Sequence, residues 1–265
     1  MPKAATTTTA QRSELGHFLR ARRAAIAPKD GGARRRRTPG LRREDVAELA
    51  GIGVDWYTRL EQGRSVSPSA ATLAALARAL GLNKTEHAHL QALVRMDSRG
   101  ERAKAFTRET VPPTLQRILA DLQLPAYVTG RRWDVLAWNA TADALFGFSR
   151  IPPAHCNLLL NMFCLTGSKA LFGSTWATEA QRMVAQFRTT FDQWAGDPAF
   201  EDLLHRLHQS GPEFSVWWEA HAVRSVASGE KQLTSSRQAT KRMEYASFQS
   251  NDDPALRLVM MKALA

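Results

Sequence analysis

The chain has 265 residues and a net charge of +11, with 36 Lys and Arg residues against 25 Asp and Glu residues. This length allows one or two domains with substantial hydrophobic cores, and two cysteines, Cys156 and Cys164, are too few for a disulfide scaffold. No apolar run approaches the ~20 residues of a membrane span, and the first ten residues lack the apolar segment of a signal peptide. We therefore expect a cytoplasmic protein without membrane contact.

The positive charge is concentrated in the first part of the chain. Residues 1–110 carry 21 Lys and Arg against 11 Asp and Glu, a net charge of +10, whereas residues 111–265 carry 15 against 14. A localised excess of this kind favours binding to the phosphates of a nucleic acid, since each neutralised phosphate releases counterions. A basic membrane-surface helix is the alternative, but residues 33–43 have no apolar face opposite their arginines.

The chain begins with a polar, Thr-rich segment, residues 1–12, which we predict to be disordered. A first helix is predicted over residues 14–26, where Leu15, Phe18 and Leu19 share a face. Residues 27–40 contain Pro and Gly breakers and form a predicted loop.

Two short helices are predicted within residues 41–64, LRREDVAELAGIGVDWYTRLEQGR. The apolar face of the first helix is predicted to consist of Val46, Ala47, Leu49 and Ala50. Gly51 supplies the left-handed residue that ends such a helix, and the pattern resumes at Val54 with Tyr57 and Leu60. This arrangement is the plan of a helix-turn-helix, whose second helix enters the major groove of DNA. An amphipathic hairpin without a DNA role would have the same apolar pattern, but the LEQGR ending and the flanking arginines favour DNA.

Two more helices complete the predicted DNA-binding domain, residues 13–96. The fourth is predicted to start with Ser67 as its cap and Pro68 at its first position, and to end at Gly81. The fifth is predicted over residues 85–96, capped by Thr85. The domain is therefore an all-α, five-helix bundle, followed by a linker over residues 97–111 and a boundary at Pro112.

In residues 112–265 the sequence contains both helix-type and β-type stretches, which predicts an α+β domain. Helices are predicted over residues 114–124, 139–146, 157–164, 178–194, 200–207 and 213–221, and β-type runs over residues 126–128, 133–138, 231–234, 243–248 and 256–261. Strands at both ends with helices between them favour one antiparallel sheet with helices on one side.

The motifs RRTPGLRREDVAELAG, VDWYTRLEQGR and PAYVTGRRWDVLAWNATADALFG, together with WWEAHAV and SGEK, resemble the MmyB-like family of bacterial transcription regulators from Leu15 to Met261. The resemblance implies a lambda-repressor-like (XRE-type) helix-turn-helix domain followed by a PAS-like ligand-binding domain whose pocket is associated with a fatty acid. It also implies that Glu61 pairs with an arginine of the first helix, Arg22 or Arg23.

Two positions depart from the family pattern. Gly53 stands where the family usually has Ser, which removes a hydroxyl that can touch a phosphate. Cys156 stands where a basic residue usually precedes Asn157, which argues against an acidic ligand head group.

The first residues of the second helix, and one a turn further on, face base edges in a helix-turn-helix. The candidates for base contact are Arg43, Val54, Asp55, Trp56 and Arg59. Arg59 is suited to a bidentate contact with guanine, and Asp55 either accepts from a cytosine amine or balances the helix dipole. Trp56 is expected against the sugar-phosphate wall or a thymine methyl group. The phosphate candidates are Arg34, Arg35, Arg36, Arg37, Arg42, Gln62 and Arg64. The run of four arginines is alternatively a solvated loop.

The second domain is nearly neutral, which favours an apolar ligand. The candidates for lining a ligand pocket are therefore its aromatic side chains. They are Tyr127, Trp138, Phe146, Phe163, Phe172, Trp176, Phe187, Trp217 and Trp218. The same residues are alternatively plain core.

We expect no enzymatic activity, since neither a phosphate-cradling glycine loop nor a Gly-x-Ser-x-Gly motif is present. Glu201, His205 and His208 share a helix face, which we interpret as a solvated stripe and not a metal site. The two cysteines are predicted to be inert buried thiols.

The leading hypothesis is a sequence-specific transcription regulator that binds double-stranded DNA as a homodimer and responds to an apolar, fatty-acid-like small molecule, with no other cofactor. The alternative is a DNA-binding regulator whose second domain only mediates dimerisation or contact with another protein. An enzyme fused to a DNA-binding module ranks last.

Overall fold

The computed structural model describes residues 3–27, 40–64, 68–99, 105–225, 228–234 and 240–264. The α-helices in these ranges are α1 (Lys3–Ala25), α2 (Arg43–Ala50), α3 (Val54–Glu61), α4 (Ala70–Ala79), α5 (Lys84–Arg99), α6 (Pro113–Asp121), α7 (Ala140–Phe146), α8 (Leu158–Cys164), α9 (Thr166–Phe172), α10 (Trp176–Gln193), α11 (Pro198–Gln209) and α12 (Pro212–Glu219). The strands are β1 (Ala126–Thr129), β2 (Val135–Trp138), β3 (Gly229–Thr234), β4 (Thr240–Gln249) and β5 (Arg257–Ala263).

The chain forms two compact units. Unit one consists of residues 1–105, 185–201 and 217–225, and unit two consists of residues 106–184, 202–216 and 226–265. By their contacts, the second half of α10 and residues 217–225 group with the helix-turn-helix, whereas residues 226–265 group with unit two.

The core of unit one is formed by residues from α1 to α5, together with Val223. Val46, Ala47 and Ala50 of α2 are buried, as predicted, and so are Tyr57 and Leu60 of α3. The prediction for Leu49 is wrong, because its side chain is 59% exposed. Leu49 lies to one side of the arc that Val46, Ala50 and Ala47 occupy on the helix, and that arc alone faces the core.

Three helix starts in unit one differ from the sequence prediction. α1 begins at Lys3 and includes most of the Thr-rich segment predicted to be disordered; its three alanines favour helix. The cap of α4 is Ser69, whose Oγ accepts from the backbone N of Thr72 at 3.1 Å, and Ser67 lies outside the described residues. α5 is capped by Asn83, which exchanges hydrogen bonds of 2.9 and 3.0 Å with Glu86, and not by Thr85.

The second half of α10 is held in unit one by buried charged groups. Arg188 is 2% exposed, and its Nη1 lies 3.1 Å from the carboxylate of Glu14 on α1. The guanidinium stacks 3.5 Å from the ring centre of Trp218 and donates to the carbonyl oxygen of that residue. One turn later, Asp192 lies 2.9 Å from the Nε2 of His89 on α5. These contacts explain why the segment groups with the helix-turn-helix.

Unit two is built on one antiparallel sheet with the strand order β2-β1-β5-β4-β3, which confirms the predicted hairpin and sheet. Cross-strand pairing places on one face Tyr127, Trp138, Lys231, Leu233, Met243, Tyr245, Val259 and Met261. The opposite face presents Ala126, Val128, Leu258 and Met260, and Leu119 of α6 packs against it.

The prediction that helices cover only one side of the sheet is wrong. All four residues of β1 are buried, so both faces of this strand require cover. α6 supplies it on the Val128 face, and Arg182 of α10 contacts Tyr245 on the other. Among the described helices, none is long and apolar enough to cross a membrane.

Candidate nucleic-acid interface

The turn between α2 and α3 has the geometry that the sequence predicts. Gly51 adopts φ +67°, and its backbone N donates to the carbonyl oxygen of Glu48 at 3.1 Å. The N of Ile52 donates to Ala47 at 2.9 Å, which closes the end of α2. Gly53 is extended and precedes Val54, the first residue of α3, so only three residues separate the two helices.

One face of α3 is open to solvent. Val54 is 39% exposed, Asp55, Arg59 and Gln62 are also exposed, and Thr58 lies between them and is half-buried. These positions are separated by one, three or four residues and form a continuous strip on the helix. Thr58 was not among the sequence candidates, although helical spacing from Val54 and Gln62 identifies it.

Two of the candidates for base contact are held by the protein itself. Trp56 is half-buried and packs against the core of unit one. The Nε of Arg43 donates to Glu61 at 2.8 Å, and its side chain is 40% exposed. Contacts within the protein therefore hold both side chains in place without DNA.

Three of the candidates for phosphate contact lie within the described residues. Arg42, Gln62 and Arg64 are exposed around the two ends of the helix pair. The backbone N of Arg42 donates to the carboxylate of Asp45 at 2.7 Å, which fixes the start of α2 and leaves the Arg42 side chain exposed. Arg34, Arg35, Arg36 and Arg37 lie outside the described residues.

Glu61 fixes the end of α3. It is 1% exposed, and it accepts from the Nε and Nη2 of Arg23 at 2.6 and 3.2 Å. Burial alone would raise the pKa of Glu61, but the hydrogen bonds from Arg23 and Arg43 outweigh burial and lower this pKa. Of the two arginines proposed from the resemblance, Arg23 is the partner, whereas Arg22 pairs with Glu86 at 2.8 Å.

Gly16 allows α1 to approach the end of α3. A Cβ atom at this position would lie 2.2 Å from the backbone oxygen of Glu61, which is far inside van der Waals contact. The sequence offers no local signal for this role, because Gly16 stands in the middle of a predicted helix.

The nine aromatic pocket candidates do not form one group. Tyr127, Phe146 and Trp138 surround Phe148 in unit two, with ring centres 5.2–5.5 Å from it. A second group in unit two consists of Phe163, Trp176 and Phe214, and Phe172 is buried elsewhere in this unit. Phe187, Trp217 and Trp218 belong to unit one, where Phe187 stacks on Phe200 at 6.2 Å.

The residues at the start of α8 have structural partners. The side-chain amide of Asn157 donates to the carbonyl oxygen of Arg132 at 2.8 Å, and its oxygen accepts from Leu159 at 3.0 Å. Burial raises the pKa of Cys156 to about 11, so its thiol is protonated at neutral pH. The prediction that both thiols are buried is wrong for Cys164, which is exposed, although burial of its sulfur still raises its pKa.

The polar stripe on α11 is bonded to its neighbours. Glu201 accepts from the backbone N of Gly196 at 2.9 Å, His205 contacts Gln209 at 2.8 Å, and His208 contacts Ser215 at 2.8 Å. Within the ranges that the structure describes, no group of three His, Cys, Asp or Glu residues is placed to hold a metal ion.

Comparison with known proteins matches both parts of the chain. The model of a family described as MmyB-like transcription regulator ligand binding domain matches residues 111–265, and a model described as helix-turn-helix domain matches residues 14–90. No curated protein matches the chain.

Proposed function

The chain belongs to the MmyB-like transcription regulators and is a DNA-binding regulator with a ligand-binding domain; we propose that it reads a specific operator through α3, binds as a homodimer, and responds to an apolar, fatty-acid-like molecule. The observation that carries this proposal is the exposed strip on α3, a helix whose last residue, Glu61, is buried and held by Arg23. A polar strip on a rigid short helix is what entry into a major groove requires.

We assign direct base readout to Val54, Asp55 and Arg59. Arg59 is exposed and carries the fork of donors that matches O6 and N7 of guanine, which is worth about 1–3 kcal/mol of discrimination. Asp55 accepts from a cytosine amine, and Val54 offers an apolar contact to a thymine methyl group. Trp56 and Arg43 support these residues from the protein side and touch the groove only at its margin.

We assign phosphate contacts to Arg42, Gln62 and Arg64, and to the arginines at positions 34–37. Their exposed positions at the ends of the helix pair suit the two strands that border a groove. The excess of positive charge in residues 1–110 supports this assignment, since phosphate contacts supply most of the sequence-independent affinity.

We propose dimerisation because the recognition helix, α3, is short. α3 has eight residues and can reach only a few base pairs. Two copies on adjacent half-sites, about 34–36 Å apart, supply the affinity and specificity that one copy lacks. We therefore propose that the operator is an inverted repeat.

The effector acts on this arrangement through its different affinities for two states of the dimer. Support for an apolar effector comes from the near neutrality of residues 111–265 and from the aromatic residues of unit two. The close ring contacts among those aromatic residues favour the alternative, in which this domain has a solid core and serves dimerisation or a partner protein only.

Selection of binding sites from random duplexes tests the reading of DNA, with Arg59→Ala compared with Arg64→Ala. The first variant is expected to relax the preference at one base pair of each half-site. The second is expected to weaken all sequences alike and to lower the salt dependence of binding. Equal, uniform losses in both variants would show that α3 is not the recognition helix, and a selected site without an inverted repeat would rule out the dimer.

Native mass spectrometry of the purified protein reports the subunit count and any retained small molecule, which separates the two versions of the second domain.

A further inference from the structure

Lys231 occupies an inward position on a strand where apolar residues are expected. β3 alternates, with Glu230 and Gln232 exposed and Leu233 buried. Lys231 shares the inward face with Leu233, and its side chain is only 11% exposed. Lysines are almost never buried in this way unless a partner holds the charge.

The described part of the chain does not supply a hydrogen-bond acceptor to this lysine. Its Nζ lies 4.0 Å from the carboxylate of Glu179 on α10 and 4.5 Å from the ring centre of Tyr245 on β4. Burial, followed by the nearby charge of Arg182, lowers the pKa of Lys231 to about 8, against the opposing effect of Glu179. A largely buried ammonium group with three donors therefore has no close acceptor among the described residues.

The neighbouring side chains form the rest of a cluster. Arg182 donates to the carboxylate of Glu179 at 2.6 Å and to the hydroxyl oxygen of Tyr245 at 2.8 Å. Because the Tyr245 hydroxyl accepts from Arg182, its own proton remains available for another acceptor. Two cations and one carboxylate leave a net charge of +1 in this cluster.

We propose that Lys231, Tyr245 and Arg182 bind a single negatively charged group, of the carboxylate class, carried by the small molecule that unit two takes. This inference rests on the proposed function, in that it assigns the head-group site of the effector. A carboxylate balances the charge of the cluster and accepts from both the ammonium and the hydroxyl.

The apolar part of the ligand has a surface beside this cluster. Tyr127 is buried on the same face of the sheet; burial raises the pKa of its hydroxyl, and the nearby positive charge of Arg182 opposes this effect. Its ring contacts Phe146 and Phe148 at 5.8 and 5.5 Å. In this proposal the cluster, and not the position before Asn157, supplies the positive charge for the head group.

The competing explanation for Lys231 is protection of a sheet edge. β3 is an edge strand, and an inward-pointing charge on such a strand discourages pairing with another chain. Edge protection does not require the hydroxyl of Tyr245 or the hydrogen bond from Arg182, so the two explanations predict different results.

Calorimetric titration of the full chain with decanoate and with 1-decanol tests the proposal. The variants are Lys231→Met and Tyr245→Phe, and the matched control is Lys262→Met, because Lys262 is exposed on β5. Decanoate affinity is expected to fall at least tenfold in Lys231→Met and about tenfold in Tyr245→Phe, and to remain unchanged in the control. Decanol affinity is expected to be equal in all four proteins. Decanoate binding to the wild type should also weaken as the pH rises through about 8, and Lys231→Met should lose this dependence.

Equal decanoate affinity in Lys231→Met and the wild type overturns the proposal, and so does a wild-type protein that binds neither compound. A Lys231→Met variant that changes only its state of assembly assigns Lys231 to edge protection and also overturns it. Tyr245→Phe keeps the test decisive if Lys231→Met fails to fold. DNA binding by the ligand-free wild type is measured in parallel: failure there overturns the regulator proposal, whereas loss of the decanoate preference alone overturns only the head-group site.

Discussion

The carboxylate of Glu61, at the end of α3, lies 2.6 Å from the Nε of Arg23 on α1. The Nη1 of Arg23 also donates to the carbonyl oxygen of Leu41 at 2.8 Å, just before α2. One buried ion pair thus connects the first helix to the segments that begin and end the helix-turn-helix. Because the exposed strip lies on the same eight-residue helix, its orientation depends on this pair.

We expect Glu61→Ala to destabilise unit one by about 3–5 kcal/mol, since it removes a fully buried counter-charge and leaves Arg23, whose side chain is only 16% exposed, without its partner. Urea unfolding followed by circular dichroism measures the change. The control is Glu48→Gln, because Glu48 is exposed on α2. The folded pKa of Glu61 is lowered, so the stability from this pair is present above its ordinary pKa of 4.5 and is lost as the pH falls through the folded value. A Glu61→Ala protein as stable as the control variant would show that the pair has no structural role.

We expect Gly16→Ala to destabilise unit one by about 1–3 kcal/mol, although alanine is the better helix former. The added Cβ would lie 2.2 Å from the backbone oxygen of Glu61, so α1 and α3 must move apart. Gly167→Ala is the matched control, because Gly167 is also helical and a Cβ there meets no atom within 4 Å. Thermal unfolding is expected to show a lower Tm for Gly16→Ala and an unchanged or higher Tm for Gly167→Ala. The reverse order would mean that α1 does not approach α3 closely.

We expect Asn139→Asp to destabilise unit two by about 3 kcal/mol or more. Its buried side-chain amide donates to the carbonyl oxygens of Leu122 and Leu124 at 2.8 and 2.7 Å, and its oxygen accepts from the backbone N of Ala126 and Ala142 at 3.1 and 2.9 Å. An aspartate cannot donate and places a negative charge against two carbonyl oxygens.

The control for this change is Asn251→Asp, because Asn251 is exposed and its replacement adds the same charge. Guanidinium unfolding compares the two variants with the wild type. Similar midpoints for both variants would show that the donated hydrogen bonds of Asn139 are replaced by water at little cost.

Much of the fold could be predicted from the sequence because its signals are local. The turn at Gly51, the burial of Tyr57 and the hairpin of β1 and β2 each depend on a few neighbouring residues. The exposure of Leu49 could not be predicted, because spacing shows which residues share a helix face but not how wide the contact with the core is. The cap of α5 was missed because Thr85 and Asn83 are both good caps, and only the reciprocal bond with Glu86 decides between them.

The sequence did not indicate the cluster around Lys231 or the surroundings of Arg188, because both are formed by residues that are far apart in the chain. Arg182, Lys231 and Tyr245 stand on α10, β3 and β4, and nothing in their local sequence brings them together. Lys231 did carry a signal, because it occupies an inward position in the alternation of β3. The grouping of Arg188 with the helix-turn-helix depends on Glu14, 174 residues away, and no pattern in one sequence shows such a pairing.

The pH dependence of unit one is expected to depend on His221, which follows α12 and adopts φ +48°. Burial, followed by the nearby charge of Arg188, lowers the pKa of His221 from 6.5 to about 3. The unfolded chain therefore binds a proton that the folded protein excludes, and this residue costs stability progressively as the pH falls from 6.5 to 3.

His221→Asn removes the titration and keeps a residue that tolerates the left-handed conformation. Its stability relative to the wild type should rise by up to about 1.4 kcal/mol for each pH unit below 6.5, measured by urea unfolding between pH 4 and 8. Glu14 remains in both proteins; its pKa is raised to about 7, mainly by burial, so its stabilising effect is lost as the pH rises through 7 and cancels in the comparison. The exposed His155, changed to Asn, is the control, and parallel pH profiles for wild type and His221→Asn would show that His221 is protonated in the folded protein as readily as in the unfolded chain.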